Sequence, residues 1–233
     1  MLNRQRDGAA LTLTLARPER GNALAPALVE ALLDAVQAAS ADATLHTLVL
    51  RAEGRHFCTG LDLSDLDRTQ DADWLWRLVR IETLLDALWR CPLATVALAQ
   101  GRAWGAGADL FAACERRIAA PDASFRFPGA QFGIVLGTRR LAERIGSDAA
   151  RALVTGGGTL DAPQALAAGL ATAIGSDVDG PAPAVDAPTA AAIRAATRRD
   201  APDADLAALV RSAAQPGLVE RMRAYRERST RRS

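Results

Sequence analysis

Two stretches of this 233-residue chain combine residue types that could do chemistry on a small molecule. The first is Gly54-Arg55-His56-Phe57-Cys58-Thr59-Gly60-Leu61-Asp62-Leu63. The second is Gly101-Arg102-Ala103-Trp104-Gly105-Ala106-Gly107-Ala108-Asp109. Each joins an apolar, strand-like run to a helical pattern through glycine, which lets a backbone turn sharply and approach a ligand closely. In open α/β sheets, ligands collect beyond the carboxyl ends of the strands. A helix starting near Ala106 would aim its unpaired N–H groups and positive dipole end into such a crevice. Donors of that kind suit an oxygen that gains negative charge during a reaction. One loop of this type alone reads most simply as a tight turn. Nucleotide binding does not fit, because Leu110 takes the third glycine position after Gly105-Ala106-Gly107. No G-x-S-x-G nucleophile elbow is present either.

Composition removes further classes. All 28 basic residues are arginine, so Schiff-base, P-loop and kinase lysine chemistry are excluded together. Two histidines, His46 and His56, cannot build a histidine-rich metal site. Cys58, Cys91 and Cys114 are widely spaced, with no C-x-x-C pair for zinc or redox work. Cys58 and Cys114 read as buried, reduced core residues, which suits a cytoplasmic setting. A net charge of +1 argues against a nucleic-acid partner. The N-terminus lacks a signal-peptide run, and no stretch of about 18 apolar residues would span a membrane. No metal or redox cofactor is expected.

The elements that must hold the two loops follow from periodicity. Leu11, Leu13 and Leu15 alternate with threonines, a half-buried strand. Pro26 opens a helix with Leu28, Leu32, Val36 and Ala39 on one face. Thr47 to Leu50 and Leu93 to Ala99 read as strands buried on both sides. A long helix runs between them, from about Asp73 to Arg90. After the second loop come a helix with Leu110, Phe111 and Cys114 and a short strand, Arg116 to Ala120. This alternation predicts an α/β fold of βαβ type. Asp161 is expected to cap a short helix that Gly169 stops. The chain is expected to divide into a core of residues 1–174, a Pro/Gly/Asp-rich linker over 175–186 and a helical segment over 187–233.

At this point the residues carry a specific resemblance. ARPERGNAL, LVLRAEGRHFCTGLDLSDL, PLATVALAQGRAWGAGADLFAACERRIAAPDASFRFP, GTRRLAERIG and TLDAPQALAAGLA occur in the order found in the crotonase superfamily, the enoyl-CoA hydratase/isomerase family. Together they cover roughly residues 10–174. The resemblance implies a crotonase-like spiral of ββα units with a helical C-terminal segment that supports a homotrimer or dimer of trimers. It implies an acyl-CoA partner, with the coenzyme A thioester as substrate and no separate cofactor. The backbone N–H groups of Leu61 and Ala106 would hold the thioester oxygen as it becomes an enolate. Ala106 stands where the family usually has glycine, which is tolerable only at negative φ. Arg20, Ala23, Leu61, Asp62, Leu63, Ser64, Gly105 and Ala106 would meet the CoA ester.

Departures from the family pattern decide the expected chemistry. Hydratases of the family use two glutamates, and the first position here is Asp109. The second normally follows the proline of F-x-x-P-E, but Phe125-Arg126-Phe127-Pro128 is followed by Gly129. Dienoyl-CoA isomerases share the aspartate, yet their other acids map to Gly129 and Gly137. Asp109 is therefore the expected catalytic residue, and a proton shift along an enoyl chain is favoured over efficient hydration. The alternatives are a helix-start carboxylate bonded to nearby amides, and a non-catalytic acyl-CoA-binding or scaffold protein. The cationic positions flanking the CoA segment hold Gly21 and Ser64, with Arg20 as a substitute for the first. Gln131 and Trp104 are candidate pocket residues that read more simply as packing, and His56 reads as a loop or core residue. Residues 65–90, with Trp74, Trp76 and Trp89, are expected to form a pocket wall or to pack. The six arginines of RMRAYRERSTRRS read as a solvated helix face or as contacts to a neighbouring subunit's CoA.

Overall fold

The computed structural model describes residues 1–178 and 184–230. It consists of β1 (Leu2–Asp7), β2 (Ala10–Leu15), α1 (Pro26–Ala41), β3 (Thr47–Ala52), α2 (Asp71–Trp89), β4 (Ala94–Ala99), β5 (Arg102–Trp104) and α3 (Ala106–Ala113), followed by β6 (Arg116–Ala119), β7 (Ser124–Arg126), α4 (Thr138–Ile145), α5 (Ser147–Gly156), β8 (Thr159–Asp161), α6 (Ala162–Ala167) and β9 (Ala173–Ile174). Three helices complete it: α7 (Ala187–Thr197), α8 (Pro202–Ala213) and α9 (Leu218–Thr230).

The main sheet runs β1-β2-β3-β4-β6-β9, antiparallel only at the β1/β2 hairpin. Leu13 pairs with Leu50 and Leu15 with Ala52, so the buried residues of β2 and β3 are in register. A second sheet, β5-β7-β8, stands beside it, and a lone bridge between Cys58 and Ala103 adds the first glycine loop to its edge. Successive passes of the chain place a segment in the large sheet and then one against the small sheet: β3 and the Cys58 bridge, β4 and β5, β6 and β7. This is the spiral of ββα units.

The strands between the helices are apolar on both faces because both faces are covered. One side packs Leu28, Leu32 and Val36 of α1 and Ile81, Leu85 and Leu88 of α2. The other gathers Val49, Val96, Leu98 and Ile118. Asp161 Oδ1 caps α6 by accepting from the Gln164 backbone N–H, and Gln164 Oε1 accepts in turn from the Asp161 backbone N–H. Gly169 follows at φ +83 and ends that helix. All three cysteines are buried and unpaired, and burial pushes the Cys58 and Cys114 thiols up to about 12.

Periodicity foresees β2, β3, β4 and β6 but misses five strands. β1 is polar and exposed, and the other four are only two or three residues long. Residues 179–183 of the expected linker, and Arg231 and Arg232 of the arginine-rich tail, lie outside the described residues.

α8 and α9 pack on the chain's own core. Leu209, Leu218, Val219 and Met222 cluster with Leu66, Trp74, Leu78, Phe132 and Ile134.

Candidate active site

The two glycine loops meet backbone to backbone. Gly60 has φ +97, and a Cβ there would lie 2.9 Å from the Trp104 carbonyl and 3.6 Å from the Gly105 Cα. Glycine at 60 is required twice, by its torsion and by this approach. Cys58 N donates to Arg102 O at 3.1 Å, and Trp104 N returns a bond to Cys58 O at 2.9 Å. A Cβ on Gly107 would overlap Cys58 O, so the first turn of α3 also lies directly on the first loop.

This contact brings together the residues that follow each glycine, Leu61 and Ala106. Neither amide donates a hydrogen bond among the described residues. Ala106 is the first residue of α3, where amides have no helical acceptor. Asn22 is the only non-glycine residue with positive φ among those described, so Ala106 meets the negative-φ condition for replacing glycine.

Both residues line a cavity of about 110 Å³. Gly60, Gly105 and Asp109 line it with them, and Leu63, Leu78, Phe132, Ile134, Leu136 and Met222 supply much apolar wall.

Asp109 sits in the first turns of α3 at 5% exposure, yet its carboxyl makes no hydrogen bond among the described residues. The alternative of a carboxylate bonded to helix-start amides therefore fails on geometry. Burial, with the Glu82 charge adding to it, raises the Asp109 pKa well above the usual carboxylate range, against the pull of Arg140. Gly137, at φ +63, lies so close that a Cβ on it would overlap Asp109 Oδ1. An acid at 137 could not coexist with this placement of Asp109. Gly129 also lines the cavity and brings no carboxylate.

Behind Asp109 lies a buried ion pair that sequence reasoning missed. Arg140 of α4 donates to Glu82 of α2 at 2.7 and 3.1 Å, with the side chains 1% and 3% exposed. Burial raises the Glu82 pKa, and the Arg140 bonds pull it back. The readable signal was a glutamate within the apolar stripe Leu78, Ile81, Leu85. Nothing in the sequence marks Arg140 apart from its neighbours.

The expected CoA segment divides by position. Leu61 and Leu63 reach the cavity. Asp62 is turned inward and accepts from Arg17 Nη1 at 3.0 Å and Ser64 N at 3.1 Å, bonds that hold its pKa low despite burial. The same arginine nitrogen donates to the carbonyl of buried Ala23. Asp62 and Ala23 thus shape the loop through Arg17, a residue the sequence reading passed over. Arg20 and Ser64 are exposed nearby. His56 accepts from the Arg102 amide through Nδ1 and is a loop-building residue. Trp104 lines the cavity. Gln131 does not; its amide group lies against Gly157 instead. Of residues 65–90 only Leu78 reaches the cavity; Trp74 and Trp89 are buried elsewhere and Trp76 is exposed. The remaining wall comes from 127–141, Val154 and α9.

The sequence model of the family described as enoyl-CoA hydratase/isomerase matches residues 5–192. The chain belongs to the enoyl-CoA hydratase/isomerase family. It is therefore a crotonase-superfamily enzyme acting on acyl-CoA, and its relatives bear this out. It is 39% identical to the "Probable enoyl-CoA hydratase echA6" of Mycobacterium leprae over 175 residues, 72% of this chain and 69% of that protein. It is 33% identical to the "Probable enoyl-CoA hydratase echA14" of Mycobacterium tuberculosis over 211 residues, 89% of this chain and 80% of that one. The crystal structure of a Bordetella parapertussis protein described as an enoyl-CoA hydratase/isomerase superposes with a TM-score of 0.91. That protein is 44% identical, and the match covers 96% of this chain and 97% of the other.

Proposed function

We propose that this crotonase-family enzyme forms a thioester enolate, with the Leu61 and Ala106 amides donating to the oxygen and Asp109 moving the proton. The observation that carries the reading is a desolvated carboxyl without a hydrogen-bond partner, in the cavity that two unpaired amides share. Two fixed donors strengthen their hold as charge develops on the thioester oxygen, where removing one typically costs about 2.7–4 kcal/mol. An aspartate with a raised pKa is a stronger base once ionised than an ordinary one, which suits abstraction from carbon. Arg20, Ala23 and the segment Leu61–Ser64 are assigned to the CoA side of the substrate.

Gly129 leaves no second carboxylate to activate water, so the preferred reaction is movement of a double bond by one proton carrier. A 3-enoyl-CoA and a 2-enoyl-CoA of equal length, assayed side by side, test this. Isomerisation of the first is expected with a kcat/KM about tenfold or more above that for hydration of the second. Hydration as fast as isomerisation would contradict the assignment.

A further inference from the structure

We propose that the Tyr225 hydroxyl is a second polar contact for the acyl group, selecting thioesters whose chain carries an oxygen beyond the thioester carbonyl. This rests on the reading of the cavity as the acyl-CoA site. Five of the lining side chains bear oxygen or nitrogen: Thr59, Trp104, Asp109, Thr138 and Tyr225. Three have already spent their donor within the protein. Thr59 Oγ1 donates to Gly21 O, Thr138 Oγ1 to Leu136 O, and Trp104 Nε1 to Ser124 Oγ. Only the Asp109 carboxyl and the Tyr225 hydroxyl have no hydrogen-bond partner among the described residues.

Tyr225 is the chain's single tyrosine, and it is held in place from several sides. Its ring packs on Phe132 with centroids 5.1 Å apart. Phe132 ends the short 3-10 helix Pro128–Phe132, the element that carries Gly129. The phenol therefore comes from the element packed beside the position where the family's second acid is absent. Met222, one turn earlier on α9, presents its side chain to the same cavity. The flanking Arg223 and Arg226 both donate to Asp67, at 3.1 and 2.9 Å, and fix this turn of the helix.

A purely hydrocarbon acyl chain would displace water from the hydroxyl and offer nothing in return, leaving a donor unsatisfied. A chain bearing a hydroxyl would replace that water. Sites built around such a donor discriminate against the analogue that lacks the oxygen.

The test uses butyryl-CoA, 3-hydroxybutyryl-CoA and 4-hydroxybutyryl-CoA, titrated calorimetrically into Asp109→Asn protein to prevent turnover. The same titrations are made on Asp109→Asn/Tyr225→Phe, which keeps the ring on Phe132 and removes only the hydroxyl. With Tyr225 present, one hydroxylated ester is expected to bind about tenfold or more tighter than butyryl-CoA. With phenylalanine, that ratio is expected to fall to near one, and butyryl-CoA, which no longer leaves a donor unsatisfied, is expected to bind more tightly. A ratio near one for both hydroxylated esters with Tyr225 intact overturns the proposal. So does a preference that survives in Tyr225→Phe. If no CoA thioester binds at all, the acyl-CoA reading falls, and this inference falls with it.

Discussion

In the proposed mechanism Asp109 carries the chemistry because of what it lacks. A carboxyl with no hydrogen-bond partner, placed beside the Glu82–Arg140 pair and against Gly137, is held toward its neutral form. Its folded pKa lies above its unfolded value, so its favourable contribution to stability is full below about pH 3.8 and is lost as pH rises through the folded pKa. Asp109→Asn cannot ionise and should melt higher than wild type above that pKa, by about 2–4 °C for each kcal/mol regained. The melting difference should shrink as pH is lowered toward 4, and a difference independent of pH would refute the argument. Base catalysis needs the ionised form, so the acidic limb of kcat/KM is expected above the normal aspartate range. A limb at that normal value would place the working carboxyl in contact with solvent. Sequence showed Asp109 and its spacing from Gly105, but not the sign of its pKa shift. That sign is set first by burial, with smaller and opposed contributions from Glu82 and Arg140, on α2 and α4, which are remote in sequence.

Strand and helix lengths decided how much of each element was legible. β2, β3, β4 and β6 carry regular apolar patterns, as do α1 and α2. β5, β7, β8 and β9 have two or three residues each, too few for any period to register. The two glycine loops were legible as loops, but their mutual contact is a tertiary fact set by Gly60, Gly105 and Gly107. Helix α9 is the largest surprise at this scale. Its arginine-rich sequence suggested a solvated face or a neighbour's CoA, yet Met222 and Tyr225 line the chain's own cavity. Asp71 fastens its start, accepting from Gly217 N, Leu218 N and Val219 N at 2.9, 3.1 and 2.8 Å. Those bonds, the Val219 one foremost, lower the Asp71 pKa, so the fastening is present above the ordinary aspartate value and is lost as pH falls through the lowered one. Asp71→Ala should cost about 0.5–2 kcal/mol, the usual worth of a helix-start cap. The loss should appear as faster proteolysis within 214–230 at pH 7, with β2–β4 still protected from hydrogen exchange. Equal cleavage rates in variant and wild type would show that the Asp71 bonds add nothing to the apolar contacts and Asp67 ion pairs that hold α9.

At the scale of the described chain, a two-sheet frame places two backbone amides and one buried acid on a shared cavity, and α9 completes its wall. No described helix is long and apolar enough to cross a membrane. Family membership was legible because the signature loops are contiguous in sequence; the cavity wall was not, because it is assembled from α2, residues 127–141 and α9. Val135, Ile193 and Leu206 are large apolar side chains left exposed on this protomer. We propose that they are covered by further copies of the chain, in the homotrimer or dimer of trimers that the family resemblance implies through its C-terminal helices. Sedimentation should then show species of three or six 24.5 kDa chains, and a monomer at micromolar concentration would contradict it. The central claim, enolate formation by Asp109 beneath two amides, is tested most directly by deuterium uptake from D₂O. Saturated and unsaturated acyl-CoAs would be incubated with wild type and with Asp109→Asn, and the products weighed by mass spectrometry. The account predicts incorporation next to the thioester carbonyl by wild type, slowed about 100-fold or more in the variant. Equal incorporation by both proteins, or none by wild type with acyl-CoA bound, would contradict it.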